Sequence, residues 1–473
     1  MSWSLRARLF ATVYLVFAIH FNSLHDNAQR YVYLVEALAE QHTVFLDHVP
    51  ETNVYPGDDV VTIHGHRCAD NNPGISLLAA PFWMPFARLL ASPRAPALLN
   101  DANVHFFLAH LVSTLVTTIP AGAFAAVLLA ELVFDATRRR RRAVFAAMLF
   151  AFGTNVFHHA TQLNQNIPIT AIVLAVFVLL TKPHLLGVER PVVRSMLVGF
   201  LIGLAVFIDL SIAPFCFAAI PWMLRANKRL PTLAATAAGA AVPLLALAIF
   251  QQQAYGNPFR DVHWYYYSQG ARRGMAALID IDLRTFMDQL VLPGHGLFLF
   301  FPFTALGAWY LAVRKRNTGL DADGRWFALA ITVAYLLYAL LNYGTRNTYF
   351  GPRYLIPVVP FLVWAFCVEV ADLRAPLAVA LTGISFFVGV SGAQFGFGTG
   401  NIFAHLALYF LRAPWIPFLT WARLPQLRAA GLNLPELTTP WGPLIFLGAA
   451  LTILWLPVIR RRDPSGIATP PVP

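Results

Sequence analysis

Residues 118–152 read TIPAGAFAAVLLAELVFDATRRRRRAVFAAMLFAF. Five consecutive arginines, Arg138 to Arg142, stand between two apolar runs. An apolar run of about 20 residues is long enough to cross the hydrocarbon layer of a bilayer. Five adjacent guanidinium groups cannot stay in hydrocarbon, so the chain must leave the bilayer at the arginines and turn back. Clustered Lys and Arg between spans mark the cytoplasmic side. The stretch therefore predicts a transmembrane hairpin with its turn inside.

Working outward in both directions, the same pattern repeats. Apolar segments fall at 9–22, 103–134, 143–157, 167–181, 195–209, 211–224, 231–250, 294–313, 326–342, 354–370, 375–392 and 440–459. Alternating these twelve spans puts Arg6/Arg8, Arg138–Arg142, Lys182/Arg190/Arg194, Arg225/Lys228/Arg229, Arg314/Lys315/Arg316, Arg374 and Arg460–Arg462 all on the cytoplasmic side. A wrong span count would break that agreement. The expected fold is all-α, a polytopic integral membrane protein with both termini cytoplasmic. Residues 74–90 (GISLLAAPFWMPFARLL) are apolar but carry Pro81 and Pro85. A crossing there would reverse the arginine run, so an interfacial or re-entrant element at the outer surface is expected.

Composition agrees. The 473 residues are 58% hydrophobic and only 12% charged, with mean hydropathy +0.60. Soluble domains carry about 25% charged residues, and no soluble core of ordinary size buries so much apolar sequence. The net charge of +11 lies in short runs between spans, which sets orientation and gives no reason to invoke nucleic acid. Cys68, Cys216 and Cys367 are far apart and form no disulfide framework. Arg6 and Arg8 precede an apolar run without a small-residue cleavage site, so this is read as a retained first helix rather than a signal peptide.

The threading leaves the chemically capable residues outside, in segments 23–102, 251–293 and 393–439 and in two shorter loops, HHATQLNQN (158–166) and NYGTRNTYFGPR (342–353). Residues 1–392 are expected to form the transmembrane module with its first outer segment. Residues 393–462 add an outer loop and a last helix, and 463–473 form a disordered cytoplasmic tail.

Asp26, Arg30 and Tyr33 share one helical face if the first helix runs past the membrane. An acidic residue at that position is costly unless paired or functional. Two readings stand open: Asp26 is a general base taking a proton from an acceptor hydroxyl, or an Asp26–Arg30 pair merely caps and orients the helix. Asp47, then Asp58 and Asp59, follow. HGHRCAD (64–70) offers His64, His66, Cys68 and Asp70 without a strong zinc spacing, and a loop turn is the plainer reading. No metal site is expected. His158 and His159 point to different helical faces. The amides Gln162, Asn164, Gln165 and Asn166 suit sugar hydroxyls or a phosphate, though a polar loop that satisfies its own backbone explains them too. Arg346 and Arg353 stand among Tyr343, Tyr349 and Tyr354, where guanidinium forks suit phosphate oxygens and rings stack on sugars. An interfacial aromatic belt with snorkelling arginines explains the same residues. Arg272 and Arg273 allow the same two readings. Asp209 is the main acidic residue lodged in an apolar region. GFGTG (396–400) lacks the strand–loop–helix context of a phosphate loop and reads as a turn.

The order of local patterns resembles the GT-C class of membrane glycosyltransferases, which use polyprenyl-phosphate-linked sugars. It is similar to the bacterial protein mannosyltransferase and aminoarabinose transferase groups. The patterns are HDNAQRYVYLVEALAEQHTVFLDH, NNPGISLLAAPF, FGTNVFHHATQLNQN, GFLIGLAVFIDL, AYGNPFRDVHWYYY, GLFLFFPF and GPRYLIPVVP, in family order across roughly residues 10 to 370. The resemblance implies that Asp26 is the catalytic base. It implies a donor site drawn from Arg30, Asp47, Asp70, Asn71, Gln165, Asn166, Arg272, Arg273, Arg346, Tyr349 and Arg353, with the later arginines on the lipid phosphate. The implied partners are a polyprenyl-phosphate sugar, a lipid, glycan or protein acceptor, and membrane lipids. No cofactor is expected, a divalent metal being conceivable but unsupported. This chain departs from the family pattern at two places. Asp70-Asn71-Asn72-Pro73-Gly74 stands where relatives carry D-K-x-P-G, and Gln165 and Asn166 stand where a histidine often follows the G-T motif. The expected activity is inverting transfer of one sugar on the outer face of the plasma membrane. The rival readings are a lipid or glycan transporter, and a non-catalytic scaffold of the same fold. Long outer and short inner loops favour the enzyme, since a transporter offers polar groups to both faces.

Overall fold

The computed structural model describes residues 1–22, 29–50, 60–93, 96, 98, 101–226, 228–260, 262, 281–313, 321–341, 350–395, 400–412, 416–417 and 441–460. The first helix, α1 (Trp3–Ile19), stops at His20. The His20 ring Nδ1 donates to the Val16 carbonyl at 2.8 Å, and the Asn22 amide donates to Thr161 at 2.8 Å. With its last turn satisfied in this way, α1 does not run on through the outer segment. A new helix, α2 (Gln29–Glu36), carries Arg30 and Tyr33, and the Tyr33 ring packs edge-on against Phe106 at 5.5 Å.

Helix α2 passes into a π-turn, Ala37–Gln41. A hairpin follows, β1 (Val60–Ile63) and β2 (His66–Ala69), pairing Val60 with Ala69 and Ile63 with His66. His64 and Gly65 both adopt positive φ, +52° and +87°, as a two-residue turn matched to strand twist requires. Helix α3 (Gly74–Leu90) runs on through Pro81 and Pro85. It buries Ile75, Ala79 and Trp83 and exposes Phe82, Phe86 and Leu89, so its outer face is apolar enough to meet lipid. Helix α4 (Ala102–Val116) starts on Asp101, whose carboxylate caps the amides of Asn103 and Val104. It is separated from α5 (Thr118–Thr137) only at Thr117. The pair forms a 36-residue apolar element, about 54 Å long against a hydrocarbon layer of about 30 Å. Half of the expected span 103–134 therefore belongs to the packing of α4 on α2 and α3.

Next come α6 (Arg140–Phe152), the short α7 (Val156–Ala160), α8 (Asn166–Thr181), α9 (Pro191–Ile208), α10 (Ala213–Ala226) and α11 (Leu230–Tyr255). They are followed by α12 (Leu283–Leu290), α13 (Leu297–Phe300), α14 (Phe303–Ala312), α15 (Ala322–Leu341), α16 (Val359–Glu369), α17 (Pro376–Phe395), α18 (Ile402–Arg412) and α19 (Trp441–Arg460). Among the described residues, Ala102–Thr137, α9, α11, α15 and α17 are long and apolar enough to cross a membrane. Helices α8 and α16 are apolar on every side and buried along their length, as expected of central helices. The outer ring shows lipid its Phe217, Leu245, Leu337, Val379 and Ile453. Glycine sets the α9–α11 crossing: a Cβ on Gly199 would lie 1.9 Å from the Thr236 carbonyl, and one on Gly239 2.1 Å from that of Met196. Small residues let membrane helices approach this closely.

Ion pairs gather the described basic clusters on one face. Glu131 of α5 accepts from Arg6 at 2.7 Å and from the chain's terminal amine at 3.1 Å. Lys182, past α8, reaches Asp321 at 2.8 Å and Asp135 at 3.3 Å. Arg225 of α10 meets Asp323 of α15 at 3.2 Å. Arg142 donates to the Ala371 carbonyl beyond α16 at 2.7 Å. The opposite ends of α5, α8, α9, α15 and α16 therefore meet at the other face, about 27 Å away along the 18-residue α9.

Candidate active site

At that other face the hairpin feeds Asp70-Asn71-Asn72-Pro73-Gly74 across the end of α9. Asn72 Nδ2 donates to the Val206 carbonyl at 2.8 Å. Gly74 lies so close that a Cβ would sit 2.5 Å from the Phe207 oxygen, which is the physical reason for glycine in the NNPG pattern. Ser76 Oγ donates to the Tyr31 carbonyl at 2.9 Å. The strip is thus clamped between α9 and α2, and its polar side chains meet Arg30.

Arg30 is buried and donates from Nη1 to Asp70 Oδ1 at 3.0 Å. The neighbours of the Asn71 carboxamide on this side are donors, so its oxygen faces them. It accepts from Arg30 Nε at 2.7 Å, Arg30 Nη2 at 3.0 Å and the Tyr31 hydroxyl at 2.8 Å. A lone buried guanidinium costs several kcal/mol, and this carboxylate-plus-amide fork offsets that cost. Burial holds the Tyr31 hydroxyl above its ordinary range, with the nearby charges of Arg30, Asp209 and Asp70 and the Tyr354 hydroxyl acting as smaller influences. Asp209 caps the turn after α9, accepting from the Ser211 amide at 2.7 Å.

The GPRY segment closes the cluster from a second side. Gly351 takes φ +74° with Asn155 against it, and Asn155 Nδ2 donates to the Pro352 carbonyl at 3.3 Å. A single 3-10 stretch, Arg353–Val358, follows. Arg353 is only 4% exposed. Its Nη2 donates to the Tyr354 hydroxyl at 3.1 Å. Tyr338 of α15 meets the Tyr354 ring at 6.2 Å and lies within reach of the Asp209 and Arg353 charges. Tyr31 lies within electrostatic reach of Asp209, Tyr354 and Asp70, and Tyr338 within that of Asp209 and Arg353, so the Arg30–Asp70–Asn71 fork and Arg353 lie in the same region, around Asp209.

Gln165 and Asn166 are buried deeper than an outer loop would be. The loop between α7 and α8 is sealed inside: His158 bonds the Gly392 carbonyl at 3.0 Å, His159 that of Phe350 at 3.2 Å, and the Leu163 amide donates to His110 at 3.1 Å. Among the described residues, both amide atoms of Gln162 and of Asn166, and Gln165 Nε2, have no hydrogen-bond partner. Unmet buried polar groups cost about 1–3 kcal/mol each, which ligand hydroxyls would offset.

Asp47 has a different station. It accepts from the Arg67 amide and from His66 Nδ1, both at 2.7 Å. These bonds hold its carboxyl below the usual carboxylate range, and its partners belong to the hairpin. The other HGHRCAD side chains also part company. Cys68 Sγ faces the Ala254 carbonyl at 3.6 Å, burial and then Asp47 pushing its thiol up to about 12. Among the described residues no three His, Cys, Asp or Glu side chains gather as a metal site. Asp26, Arg272, Arg273, Arg346 and Tyr349 lie outside the described residues.

Sequence reasoning missed Tyr31 and Tyr338, while it had named Tyr354 as a ring beside Arg353. One signal was present: Arg-Tyr occurs at both 30–31 and 353–354, and each guanidinium sits over its neighbour's ring, at 5.2 and 4.8 Å.

No family model matches the chain, and no curated protein matches it. Among solved structures, the fold is similar to that of ArnT from Cupriavidus metallidurans bound to undecaprenyl phosphate. The TM-score is 0.52 at 12% identity, over 96% of this chain and 75% of that one. At that identity the likeness speaks for fold. The chain shares the all-α fold of that protein, with several helices long and apolar enough to cross a membrane, in agreement with the resemblance of its motifs to the GT-C class.

Proposed function

We propose that the protein is a multi-pass glycosyltransferase of the plasma membrane that moves one sugar, with inversion, from a polyprenyl-phosphate carrier to an acceptor on the outer face. The observation that carries this reading is the buried Arg30–Asp70–Asn71 fork beside Arg353 and Asp209, at the end of the bundle opposite its basic face. The shared fold of ArnT, solved with undecaprenyl phosphate, supports the carrier class. A basic face on the cytoplasmic side supports both termini inside, twelve spans and an outward-facing site.

In this mechanism Asp26 takes the proton of the acceptor hydroxyl. The oxygen attacks the anomeric carbon from the side opposite the phosphate. The carbon–oxygen bond to phosphate breaks, and the polyprenyl phosphate leaves with the electron pair. Arg30 and Arg353, with Arg272, Arg273, Arg346 and Tyr349 from the outer loops, hold the phosphate and sugar. Asp70 and Asn71 aim Arg30. The unmet amides of Gln165 and Asn166 suit sugar hydroxyls. Asp26 stands in the chain between two anchors, Asn22 on Thr161 and Arg30 on Asp70. No cofactor enters, since the leaving phosphate's charge is met by arginines.

The test uses the full-length protein in nanodiscs with radiolabelled polyprenyl-phosphate sugars, with and without chelator. Label should move to a lipid, glycan or protein acceptor. Asp26→Asn should abolish transfer while the inserted protein keeps its melting temperature. Full transfer by a folded Asp26→Asn protein would remove Asp26 from the mechanism.

A further inference from the structure

A second polar cavity lies at the far end of α2 from Arg30. It has a volume of about 240 Å³ and is walled by Glu36, Glu40, Gln41, Leu90, Ala102 and His105 among others. The π-turn builds its polar side. Bonding from residue i to i+5 brings Gln41 over Glu36 and leaves Glu40 beside them, where an ordinary helix would turn Gln41 away. Such turns often accompany functional sites.

Among the described residues, the two buried polar atoms left without a partner here are both side-chain oxygens. Glu36 is 5% exposed, and among the described residues its Oε1 has no hydrogen-bond partner. The buried Gln41 Oε1 has none either. Glu40 Oε1 is held in place by Trp83 Nε1 at 2.7 Å and His105 Nε2 at 2.8 Å, which uses the nearby donors. Burial, and then Glu40, hold the Glu36 carboxyl well above the ordinary carboxylate range. Ionising a buried carboxyl without a partner beside a second carboxylate is expensive, and a bound cation lowers that expense.

From the cavity's two carboxyl groups, its two unpartnered buried oxygens and its apolar walls, we propose that it binds an organic primary ammonium, with the charged head between Glu36, Glu40 and Gln41 and the carbon body against Leu90 and Ala102. A hard metal ion fits poorly. Calcium takes 6–8 oxygen ligands, whereas here one face of the space is aliphatic and its volume is that of a small organic group. The site is separate from the Arg30 cluster and does not depend on the transfer reaction.

The experiment measures melting of the full-length protein in nanodiscs against graded cyclohexylamine. Cyclohexanol serves as the neutral isostere, and magnesium chloride at matched ionic strength as the bare-cation arm. Cyclohexylamine should stabilise saturably. Glu36→Gln and Gln41→Leu should each raise the half-saturating concentration tenfold or more. Glu36→Gln keeps the side-chain volume and should fold without loss, and Gln41→Leu supplies an independent arm. Equal stabilisation by cyclohexanol overturns the proposal, as does a response to magnesium alone. Unchanged half-saturation in both variants overturns it too. Because no sugar donor is present, failure here leaves the transferase reading standing, and failure of transfer leaves this site standing.

Discussion

Asn71→Lys restores the lysine of the D-K-x-P-G pattern and gives the sharpest test of the Arg30 fork. In the native protein the Asn71 oxygen takes two bonds from the Arg30 guanidinium, at 2.7 and 3.0 Å. A lysine there replaces an acceptor with a cation facing the same guanidinium. Two like charges about 4 Å apart repel by about 4 kcal/mol at an effective dielectric near 20. Asp70, 3.0 Å from Arg30, offsets part of this, which leaves a net loss of about 2 kcal/mol. A loss of that size changes the folded-to-unfolded ratio by a factor of roughly 30. The variant should therefore melt clearly below wild type in nanodiscs free of lipid phosphate. Undecaprenyl phosphate at a hundred times its dissociation constant stabilises any binder by about 2.7 kcal/mol. If the phosphate sits at this fork, the variant gains more than that, because the anion also relieves the repulsion. Equal gains by the two proteins would place the phosphate elsewhere. An unshifted melting temperature without lipid would refute the fork itself.

Four further outcomes follow from named contacts. Gly74→Ala puts a Cβ 2.5 Å from the Phe207 carbonyl, lifting Asp70 and Asn71 off Arg30; a displacement of about 1 Å should lower transfer about 100-fold, and the weakened fork should lower the melting temperature as well. Gly199→Ala meets the Thr236 carbonyl at 1.9 Å, forces α9 from α11 and should cost about 1–3 kcal/mol by overpacking, read as a lower melting temperature. Glu36 has a folded pKa above its unfolded one, so its proton stabilises the folded state below the unfolded pKa and that contribution fades as pH rises through the folded pKa. Glu36→Gln, with Glu40 and His105 left to titrate around it, should gain melting temperature over wild type progressively from about pH 5 upward; a gap that narrows with rising pH contradicts this. The double change Arg272→Ala/Arg273→Ala should weaken undecaprenyl phosphate binding about tenfold or more without altering melting, measured by lipid titration.

Much of this was legible because membrane sequences carry their fold in coarse features. The arginine run at 138–142 and the clusters at Arg6, Lys182 and Arg225 do gather on one face, and their acidic partners Glu131, Asp135, Asp321 and Asp323 lie in or beside the ends of the helices there. Hydropathy could not tell α4 from α5, because one apolar helix runs through both environments and only its neighbours α2 and α3 distinguish them. It also could not tell that HHATQLNQN is buried, since polarity usually means a surface loop and here it lines the interior. Arg30, Asp70 and Asn71 were nameable from motif order. Their meeting depends on Gly74 crossing α9 and on Ser76 bonding α2, contacts between segments far apart in the chain. Asp47 shows the converse: an acidic residue in the right segment whose partners belong to the hairpin.

Charge balance links the described cluster to the loops around it. A chain with only 12% charged residues has placed Arg30, Arg353, Asp70 and Asp209 together, the arginines 6% and 4% exposed. Two cations and two anions cancel, which is how a low-dielectric site tolerates them. Among the described residues this set carries no net positive charge to attract a lipid phosphate. A phosphate entering it would be attracted by the guanidiniums and repelled by Asp70 and Asp209. Net attraction then needs further cations. The sequence supplies Arg272, Arg273 and Arg346 in the outer segments, in a chain that spends charge sparingly elsewhere. On this hypothesis the buried quartet acts as the preorganised floor of the donor site, and the loop arginines supply the charge that makes binding favourable. Their double replacement should therefore weaken lipid phosphate binding while leaving the fold intact; unaltered lipid affinity would show that the quartet is sufficient alone.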